Sequence, residues 1–325
     1  MPNAIRTDSR NNRTTGFARP GIYSNQHGTP KQHVHDGDTI AVQLDGNVGV
    51  RMLGIDTPEV SFSLPPVNNF VSLEDNRWSD FLSDPFHDRF GPMTSELPAR
   101  LRAWFQVRCS APQARTHFEH AVAARDEFQA MIAEDMQIMQ QTPDTFSYYM
   151  NFGFEIMDGY GRLLCIVNRN QPKANEPTPR PKTYNIRLLE RGRAFPYFIW
   201  PNINPWDRPE SIDKAVIPPG QAKVMADNDT ELRMARGAVR NARQQHRGIF
   251  DPMNPLLLEP FELRNLSRRV AASRYLIDLN SDSDSLIHPL DYPLVPSTED
   301  RLWIPSAYVP LFEKAGWRVP ARPQS

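Results

Sequence analysis

The segment Val34–Val60, VHDGDTIAVQLDGNVGVRMLGIDTPEV, constrains the fold more than any other stretch of the chain. Residues 38–44 and 48–55 alternate between apolar and polar side chains, which is typical of strands with one buried face. Between them, the dipeptides DG and GN share Gly46, and either supplies a tight hairpin turn because glycine and asparagine accept positive φ angles. The sequence therefore predicts a β-hairpin, and this hairpin also carries several charged side chains.

The acids of this hairpin match what a hard divalent cation needs, because such cations prefer oxygen ligands. Asp38 begins one strand and Asp56 ends its partner, so folding back would bring both carboxylates to one end of the sheet. Thr57 offers a backbone carbonyl before the turn at Pro58, and Asp36 is placed to hold a metal-bound water. In the alternative interpretation these acids only occupy the turns of a solvated hairpin, where Asp and Gly are common.

Two further side chains of the segment suit phosphate chemistry. Glu59 lies just past the turn and would project toward the same acids as a candidate general base. Arg51 lies on the second strand, near enough to pair with a phosphate. Spacing alone does not separate this catalytic interpretation from the solvated hairpin.

Composition divides the chain into segments of different character. Residues 1–31 are polar and dotted with arginine, which predicts a flexible leader. Residues 61–112 are rich in proline, aromatic residues and acids and lack a sustained period, which is typical of an insertion or a lid. Residues 251–325 are rich in proline and contain a polar SDSDS tract, so we interpret them as a C-terminal extension of a domain that spans 32–250.

Periodic patterns predict a mixture of helices and strands. Apolar residues at three- and four-residue steps indicate a long helix over 113–140. Asn228, followed three residues later by Glu231, predicts a capping box at the start of a final helix. The other predicted elements are helices at 97–107 and 184–191, the latter ended by Gly192, and strands at 146–158, 161–168 and 194–200.

The final predicted helix carries arginines at three- and four-residue steps on one face, beside an apolar face. The pattern indicates an amphipathic surface helix or, alternatively, a stripe that tracks phosphate groups. The arginines are Arg233, Arg236, Arg240, Arg243 and Arg247.

Composition also argues against some classes of protein. The chain has 37 Lys and Arg residues against 38 Asp and Glu residues, so no overall basic field points to a polyanionic partner. Cys109 and Cys165 lack metal-ligand spacing, and the apolar run LLCIV predicts that Cys165 is a buried free thiol. No apolar run reaches the length of about eighteen residues that spans a membrane, and no secretory signal is visible, which favours a cytoplasmic location.

The motifs of the hairpin have a counterpart in a known family. VHDGDTI followed by RMLGIDTPE resembles the signature of the staphylococcal nuclease (thermonuclease) family, VxDGDT followed by RLxxxDTPE, including the spacing between the two halves. DGYGRLLCIV resembles that family's DKYGRxLAYV strand, and YNIRLLERGRAFPYFIW resembles its segment of helix, glycine and strand. ELRMARGAVRNARQQHRGIF resembles its last helix, so similar motifs follow in the same order over roughly 32–250, apart from the insertion.

The resemblance implies a fold and an activity. The expected fold is α+β, a five-stranded OB-like β-barrel with about three helices, to which this chain adds the insertion and the C-terminal extension. The expected activity is Ca²⁺-dependent hydrolysis of phosphodiester bonds in DNA and RNA, with single-stranded substrates preferred and 5′ P–O cleavage that leaves 3′-phosphates. An alternative is a catalytically inactive nucleic-acid or protein-binding module of the same fold. A third interpretation is a structural protein whose acidic hairpin only binds Ca²⁺.

The resemblance also implies a role for individual residues. Glu59 would be the general base or would position the attacking water, and Arg51 and Arg162 would clamp the scissile phosphate. Tyr160, beside Arg162, would contact a terminal phosphate or a base. The implied Ca²⁺ ligands are Asp38, Asp56 and the carbonyl of Thr57, with Asp36 in the outer shell.

Two aromatic residues of the strand over 194–200, Phe198 and Trp200, fall near the base-stacking aromatics of the family. The resemblance therefore implies that they bind substrate. Packing in the core is the alternative for both, since aromatic side chains on strands usually pack against neighbouring elements.

Overall fold

The structure is a computed structural model that describes residues 3–8, 13–22, 32, 39 and 41–322. The chain divides into two compact units. The small unit consists of Met1–Met52 with Glu155–Cys165, and the large unit of Leu53–Phe154 with Ile166–Ser325. Helices and strands are mixed throughout, so the predicted α+β class is confirmed.

The elements of the described residues are numbered in chain order. The strands are β1 (Ile5–Asp8), β2 (Arg13–Gly16), β3 (Ala18–Pro20), β4 (Val42–Leu44), β5 (Val50–Met52), β6 (Gly54–Asp56), β7 (Ser61–Leu64), β8 (Asn69–Ser72), β9 (Tyr148–Met157), β10 (Leu163–Arg169), β11 (Phe195–Ile199), β12 (Tyr275–Asp278) and β13 (Arg301–Ile304). The α-helices are α1 (Asn76–Ser83), α2 (Ala99–Arg108), α3 (Ala111–Ile138), α4 (Tyr184–Glu190), α5 (Ala222–Asn228), α6 (Thr230–Gln244), α7 (Pro260–Ser267) and α8 (Val309–Lys314).

The small unit is built from short paired strands. β1 pairs antiparallel with β2, and β3 pairs antiparallel with β4. β5 pairs in parallel with the first residues of β10, where Leu164 lies opposite Arg51. The predicted flexible leader therefore contains strands, because β1, β2 and β3 all fall within residues 1–31.

The predicted hairpin of 38–44 with 48–55 is wrong in the part of the chain that the structure describes. β4 takes β3 as its partner and β5 takes β10, so neither strand pairs with the other. The predicted second strand is also interrupted at Gly54, whose φ of 74° lies in the left-handed region that glycine adopts without steric cost. The backbone therefore leaves β5 and resumes as β6, which belongs to the large unit.

A four-stranded sheet in the order β12-β13-β11-β6 forms the centre of the large unit. β11 pairs antiparallel with β6, with Phe195 opposite Asp56, and in parallel with β13, with Phe198 opposite Leu302. Residues 251–325, predicted to be an extension, thus supply β12 and β13 to this sheet. Among the described residues the strands form separate sheets and no closed barrel, so the predicted OB-like barrel is not observed.

The segments at 61–112 and 251–325 share one hydrophobic core. Burial of a large apolar side chain stabilises the fold by about 1.5–3 kcal/mol, so a core of this kind holds the two segments together. The predicted lid is therefore a structural part of the large unit. The buried residues of this core include Phe62, Leu73, Trp78, Phe81, Leu82, Leu101 and Phe105 from the first segment, and Leu258, Phe261, Leu263, Leu266, Tyr292 and Trp303 from the second.

Most of the other predicted elements are confirmed. The predicted helix at 113–140 is α3, the helix at 97–107 is α2, and the helix at 184–191 is α4. The predicted cap of the final helix is shifted by one residue, because the Asp229 side chain accepts a hydrogen bond from the backbone N–H of Leu232. None of the helices in the described ranges combines the length and the apolar character needed to cross a membrane.

The arginine face of α6 contacts acids of the C-terminal segment. Nη2 of Arg236 donates to Oδ1 of Asp300 at 2.8 Å, and Arg236 is 2% exposed. Nη1 of Arg243 donates to Oε1 of Glu299 at 2.7 Å. The arginines at these positions therefore link α6 to the rest of the large unit, in agreement with the amphipathic interpretation rather than the phosphate-tracking stripe.

The shared core makes a testable prediction about Phe261. Its ring is 5% exposed and packs edge-to-face against Tyr292 and Trp303, so Phe261→Ala should lower the free energy of unfolding by about 3–5 kcal/mol. Met253→Ala is a matched control from the same segment, because Met253 is 89% exposed and its removal should cost less than about 0.5 kcal/mol. Urea titration measures both values. Similar values for the two variants would contradict a core shared with the C-terminal segment.

Candidate active site

The structure distributes the predicted site residues over both units. Arg51, Tyr160 and Arg162 belong to the small unit, whereas Asp56, Thr57 and Glu59 belong to the large unit. Asp36 and Asp38 lie outside the described residues.

In the large unit, Asp56 and Glu59 converge on one guanidinium group. Asp56 ends β6 and is 1% exposed, and its Oδ2 accepts a hydrogen bond of 2.7 Å from Nη2 of Arg264. The Oε1 atom of Glu59 accepts a hydrogen bond of 2.7 Å from Nη1 of the same arginine. These are charge-assisted bonds, and the planar fork of arginine suits such a bridge better than the single ammonium group of lysine.

Arg264 is placed by helix α7, which begins with a capping box. The backbone N–H of Glu259 donates to Oε2 of Glu262 at 2.8 Å, and the Glu259 side chain accepts from the backbone at Glu262. Leu263 and Leu266 are both 0% exposed, so one face of α7 is fixed in the core. Arg264 projects from this fixed helix toward β6.

A buried polar network anchors the start of α7. Glu262, which is 0% exposed, accepts hydrogen bonds from the Tyr292 hydroxyl at 2.6 Å and from the indole N–H of Trp104 at 2.7 Å. Arg301 donates to Glu259 at 2.7 Å. Burial, together with the negative charge of Glu262, raises the pKa of Tyr292 well above its ordinary value, so the hydroxyl remains a donor.

The electrostatics of Arg264 follow from its two partners. Burial opposes its charged form, yet the pKa of Arg264 is raised because the charge of Asp56, and then that of Glu59, favours the protonated guanidinium. Arg264 therefore remains positively charged despite its burial. It neutralises part of the negative charge of Asp56 and Glu59, which the sequence predicts to be part of a metal-dependent site.

His117 of α3 holds the backbone beside the Glu59 carboxylate. The backbone N–H of Glu59 donates to Nδ1 of His117 at 3.3 Å, and Nε2 of His117 lies 3.1 Å from the carbonyl of Leu258. These contacts require the neutral tautomer with its proton on Nε2. His117 is 0% exposed, and burial lowers its pKa from 6.5 to about 3, so the neutral form is stable in the folded protein.

In the small unit, Arg162 belongs to a turn organised by Asp158. Oδ1 of Asp158 accepts the backbone N–H groups of Tyr160 at 2.9 Å and Arg162 at 3.0 Å, and Gly161 supplies a φ of 82°. Nε of Arg162 donates to Oδ2 of Asp158 at 2.8 Å. Burial opposes ionisation of Asp158, but the hydrogen bonds from Arg162 lower its pKa. The guanidinium lies 5.3 Å from the centre of the Tyr160 ring.

Arg51 and Arg162 belong to neighbouring stretches of the small unit. Arg51 on β5 lies opposite Leu164 on β10, and Arg162 directly precedes β10. The aliphatic part of the Arg162 side chain lies beside Gly49, two residues before Arg51.

The predicted substrate-binding aromatics differ in their surroundings. Tyr160 is 62% exposed and is accessible to a ligand. Trp200 is 0% exposed, donates from its indole N–H to the carbonyl of Ala215 at 2.8 Å and packs against Phe312. Phe198 is 3% exposed. The stacking role of Trp200 and Phe198 is therefore corrected to core packing, because neither ring offers a face to a base.

A second pair of aromatic side chains, missed by sequence reasoning, lies at the surface of the large unit. The rings of Tyr149 and Trp206 stack with an interplanar angle of 3° and centroids 5.7 Å apart. They are 44% and 51% exposed and line a cavity of about 690 Å³ with Arg180 and Lys182. The pair offers flat aromatic surfaces next to positive charge.

Sequence reasoning also missed Arg264 and His117. Arg264 falls in the segment interpreted as an extension, and its motif carries no signature of a site. A signal existed for His117, because Ala114, His117, Ala121 and Ala124 follow helical spacing and form the buried face of α3.

The described residues allow a partial test of the implied Ca²⁺ site. Within the described ranges, no cluster of three or more His, Cys, Asp or Glu side chains is arranged to hold a metal ion. Asp56 and Glu59 carry oxygen donors of the kind that Ca²⁺ prefers, and each has an oxygen bound to the guanidinium of Arg264.

Comparison with known proteins identifies a distant relative of part of the chain. No family model matches the chain. Over 155 residues, which are 48% of this chain, it is 27% identical to Endonuclease YhcR of Bacillus subtilis (strain 168). The match covers 10% of that protein, so the chain spans about a tenth of the relative's length. No solved structure matches the chain. The chain is therefore similar to a part of an endonuclease.

The buried imidazole of His117 predicts a pH-dependent stability. The unfolded chain takes up a proton near pH 6.5, but folded His117 does so only near pH 3, so stability is lost as the pH falls through this window. Between pH 7.5 and 4.5 the wild type should lose about 2 kcal/mol more unfolding free energy than His117→Gln. Urea titrations at both pH values measure the difference.

The matched control for this prediction is His246→Gln, because His246 is exposed and should leave the pH dependence unchanged. Parallel pH profiles for the wild type and His117→Gln would show that His117 is not buried in its neutral form.

Proposed function

We propose that the chain is a Ca²⁺-dependent nuclease that hydrolyses phosphodiester bonds of DNA and RNA and prefers single-stranded substrates. The observation that carries the proposal is the convergence of Asp56 and Glu59, from the IDTPE motif, on one cationic group at 2.7 Å each. The similarity to part of an endonuclease supports the same class of reaction.

The chain's own acids would activate the attacking water. Glu59 would accept a proton from that water, and the hydrogen bond from its backbone to His117 would keep the carboxylate in position. Bound Ca²⁺ would neutralise negative charge on the phosphate. Asp56 and the carbonyl of Thr57 would hold the ion, and the family pattern adds Asp38, with Asp36 in the outer shell.

The arginines of the small unit would bind the phosphate. Arg51 lies on β5, which pairs with β10, and Arg162 directly precedes β10. Two guanidinium groups can donate to the equatorial oxygens and stabilise charge that develops on them. Tyr160 lies next to Arg162 and is accessible to a terminal phosphate or a base. Cleavage of the 5′ P–O bond, with 3′-phosphate products, and an OB-like barrel rest on the family resemblance alone.

A catalytically inactive binding module is the second candidate, and one observation favours it. Arg264 engages the proposed base and the proposed metal ligand together, so one oxygen of each carboxylate already accepts a charge-assisted hydrogen bond. A module of this kind would bind nucleic acid or protein without cleaving it. Substitution of Glu59 distinguishes the two candidates.

We expect Glu59→Gln to lower the rate of hydrolysis of single-stranded DNA by about 10²–10⁴-fold, the range of general base catalysis. Binding of a non-hydrolysable oligonucleotide in the presence of Ca²⁺ should be retained, and a chelator should abolish wild-type cleavage. Glu210→Gln is the control, because that side chain is 83% exposed and should leave the rate unchanged. Wild-type protein that cleaves neither DNA nor RNA with Ca²⁺ present would refute the nuclease.

The proposed preference for single strands leads to a prediction about Trp206. Unpaired bases can stack on exposed aromatic rings, and each such contact contributes about 1–3 kcal/mol. Trp206→Ala should therefore weaken binding of single-stranded DNA by that amount and change binding of duplex DNA less, as measured by fluorescence anisotropy. Phe70→Ala removes another exposed aromatic ring, which is 72% exposed, and should leave both affinities unchanged. Equal losses for the two variants would contradict stacking on Trp206.

A further inference from the structure

We infer that three arginines, which follow helices α4 and α6, form a second phosphate-binding site that holds a nucleic-acid strand away from the catalytic residues. These residues are Arg191, Arg193 and Arg247, and we call them the arginine cluster. The inference rests on the proposed function, because nucleic acid is the expected partner. It assigns a role to surface arginines that the candidate active site does not use.

Two glycines bring the arginine cluster together. Gly192 separates Arg191 from Arg193, and Gly248 directly follows Arg247. The backbones of the two glycines touch, since a Cβ atom at position 248 would lie 2.1 Å from the carbonyl oxygen of Gly192. Their φ angles of 61° and 54° also lie in the region that favours glycine. Contact between main chains therefore sets the positions of the three arginines.

The arginine cluster carries more positive charge than its surroundings compensate. Among the described residues, the charged side chains that line its cavity of about 510 Å³ are the three arginines and Glu127 of α3, so positive charge exceeds negative by two. Nη1 of Arg191 donates to Oε1 of Glu127 at 2.6 Å. Like charges that are held close together repel each other, and a phosphate group in the cavity would relieve this repulsion.

Two members of the cluster retain hydrogen-bond donors for a ligand. Nη2 of Arg193 lies 3.6 Å from Oε2 of Glu127, which is too long for a hydrogen bond, and its Nε finds no partner within the described part of the chain. Arg247 is exposed and donates from Nη1 to the carbonyl of Glu190 at 3.0 Å. The planar fork of each guanidinium matches the oxygens of a phosphate group.

The arginine cluster lies at the end of the central sheet where Asp56 ends β6. Phe195 of β11 lies opposite Asp56 in an antiparallel pair, so the chain before Phe195 runs beside the chain after Asp56. Along α3, Glu127 follows His117, which contacts the Glu59 backbone, by ten residues or about 15 Å. About four phosphates at about 3.4 Å each span this distance, so one strand can reach both places.

The test is fluorescence anisotropy of a labelled, non-hydrolysable single-stranded oligonucleotide with full-length protein and Ca²⁺ at several salt concentrations. Arg193→Gln/Arg247→Gln removes two positive charges and leaves the bond between Arg191 and Glu127 in place. It should weaken binding about 10–100-fold at about 50 mM salt. The slope of log affinity against log salt should fall by about 1.4, because each phosphate contact on a single strand contributes about 0.7.

Arg77→Gln/Arg318→Gln is the matched control for the double variant. It removes the same charge from side chains that are 64% and 73% exposed and lie outside the cluster. Both the affinity and the salt slope should stay at the wild-type values. A control that loses as much affinity as the double variant would overturn the inference.

A variant with the opposite expected effect covers the case in which the double variant folds poorly. Glu127→Gln removes the acid of the cavity and should strengthen binding of the oligonucleotide about 3–10-fold at about 50 mM salt. Damage to the fold cannot produce tighter binding. Glu210→Gln makes the same change of charge on a side chain that is 83% exposed, and it should leave the affinity unchanged. Equal affinities for these two variants would contradict the inference.

The outcomes separate the arginine cluster from the proposed function. If the double variant binds as the wild type does, or loses affinity without a change in salt slope, the cluster is refuted and the nuclease proposal stands. If the double variant loses affinity and salt slope but the wild type cleaves no nucleic acid, the cluster stands and the nuclease proposal fails. Wild-type protein that binds a labelled polyglutamate peptide through the cluster, and no oligonucleotide, would refute both.

Discussion

The guanidinium of Arg264 is the group on which the described acidic site depends. It joins Asp56 at the end of β6 to Glu59 in the following turn, and it comes from a helix that is 208 residues away from Asp56 in the sequence. Without it, Asp56 would be a buried carboxylate that lacks this charge-assisted bond. The acidic pair and helix α7 therefore form one electrostatic unit, although the sequence places them in different segments.

This arrangement is stable because α7 is fixed before Arg264 reaches the acids. The capping box at Glu259 and Glu262, the hydrogen bonds from Trp104 and Tyr292, and the buried side chains of Leu263 and Leu266 hold the helix on several sides. Because packing already fixes the backbone, the two-pronged contact costs only the rotamer freedom of the arginine side chain. Rigid packing in the core thus determines the geometry of charged groups near the surface.

Elements with a strong local pattern could be predicted from the sequence, and those decided by distant partners could not. The long helix α3, the strands β9 and β10 and the glycine-ended helix α4 follow from periodicity and turn residues alone. The hairpin prediction is wrong because β4 pairs with β3 and β5 pairs with β10, and these partners are remote in the sequence. The segment at 61–112 looked like a lid because its elements are too short to show a period, and only the fold brings its aromatic residues into the core that also contains Trp303.

The residues of the candidate site also differ in whether the local sequence predicts them. The IDTPE motif and the GYGR turn identify Asp56, Glu59 and Arg162 locally, whereas Arg264 is one of many arginines and gains meaning only from tertiary contact.

The shared core has a consequence for biosynthesis. Domains tend to fold as units while they emerge from the ribosome, and contacts between distant segments form slowly. The large unit cannot close its core until Trp303 has emerged, so a nascent chain would expose Trp78 and Phe81 until then.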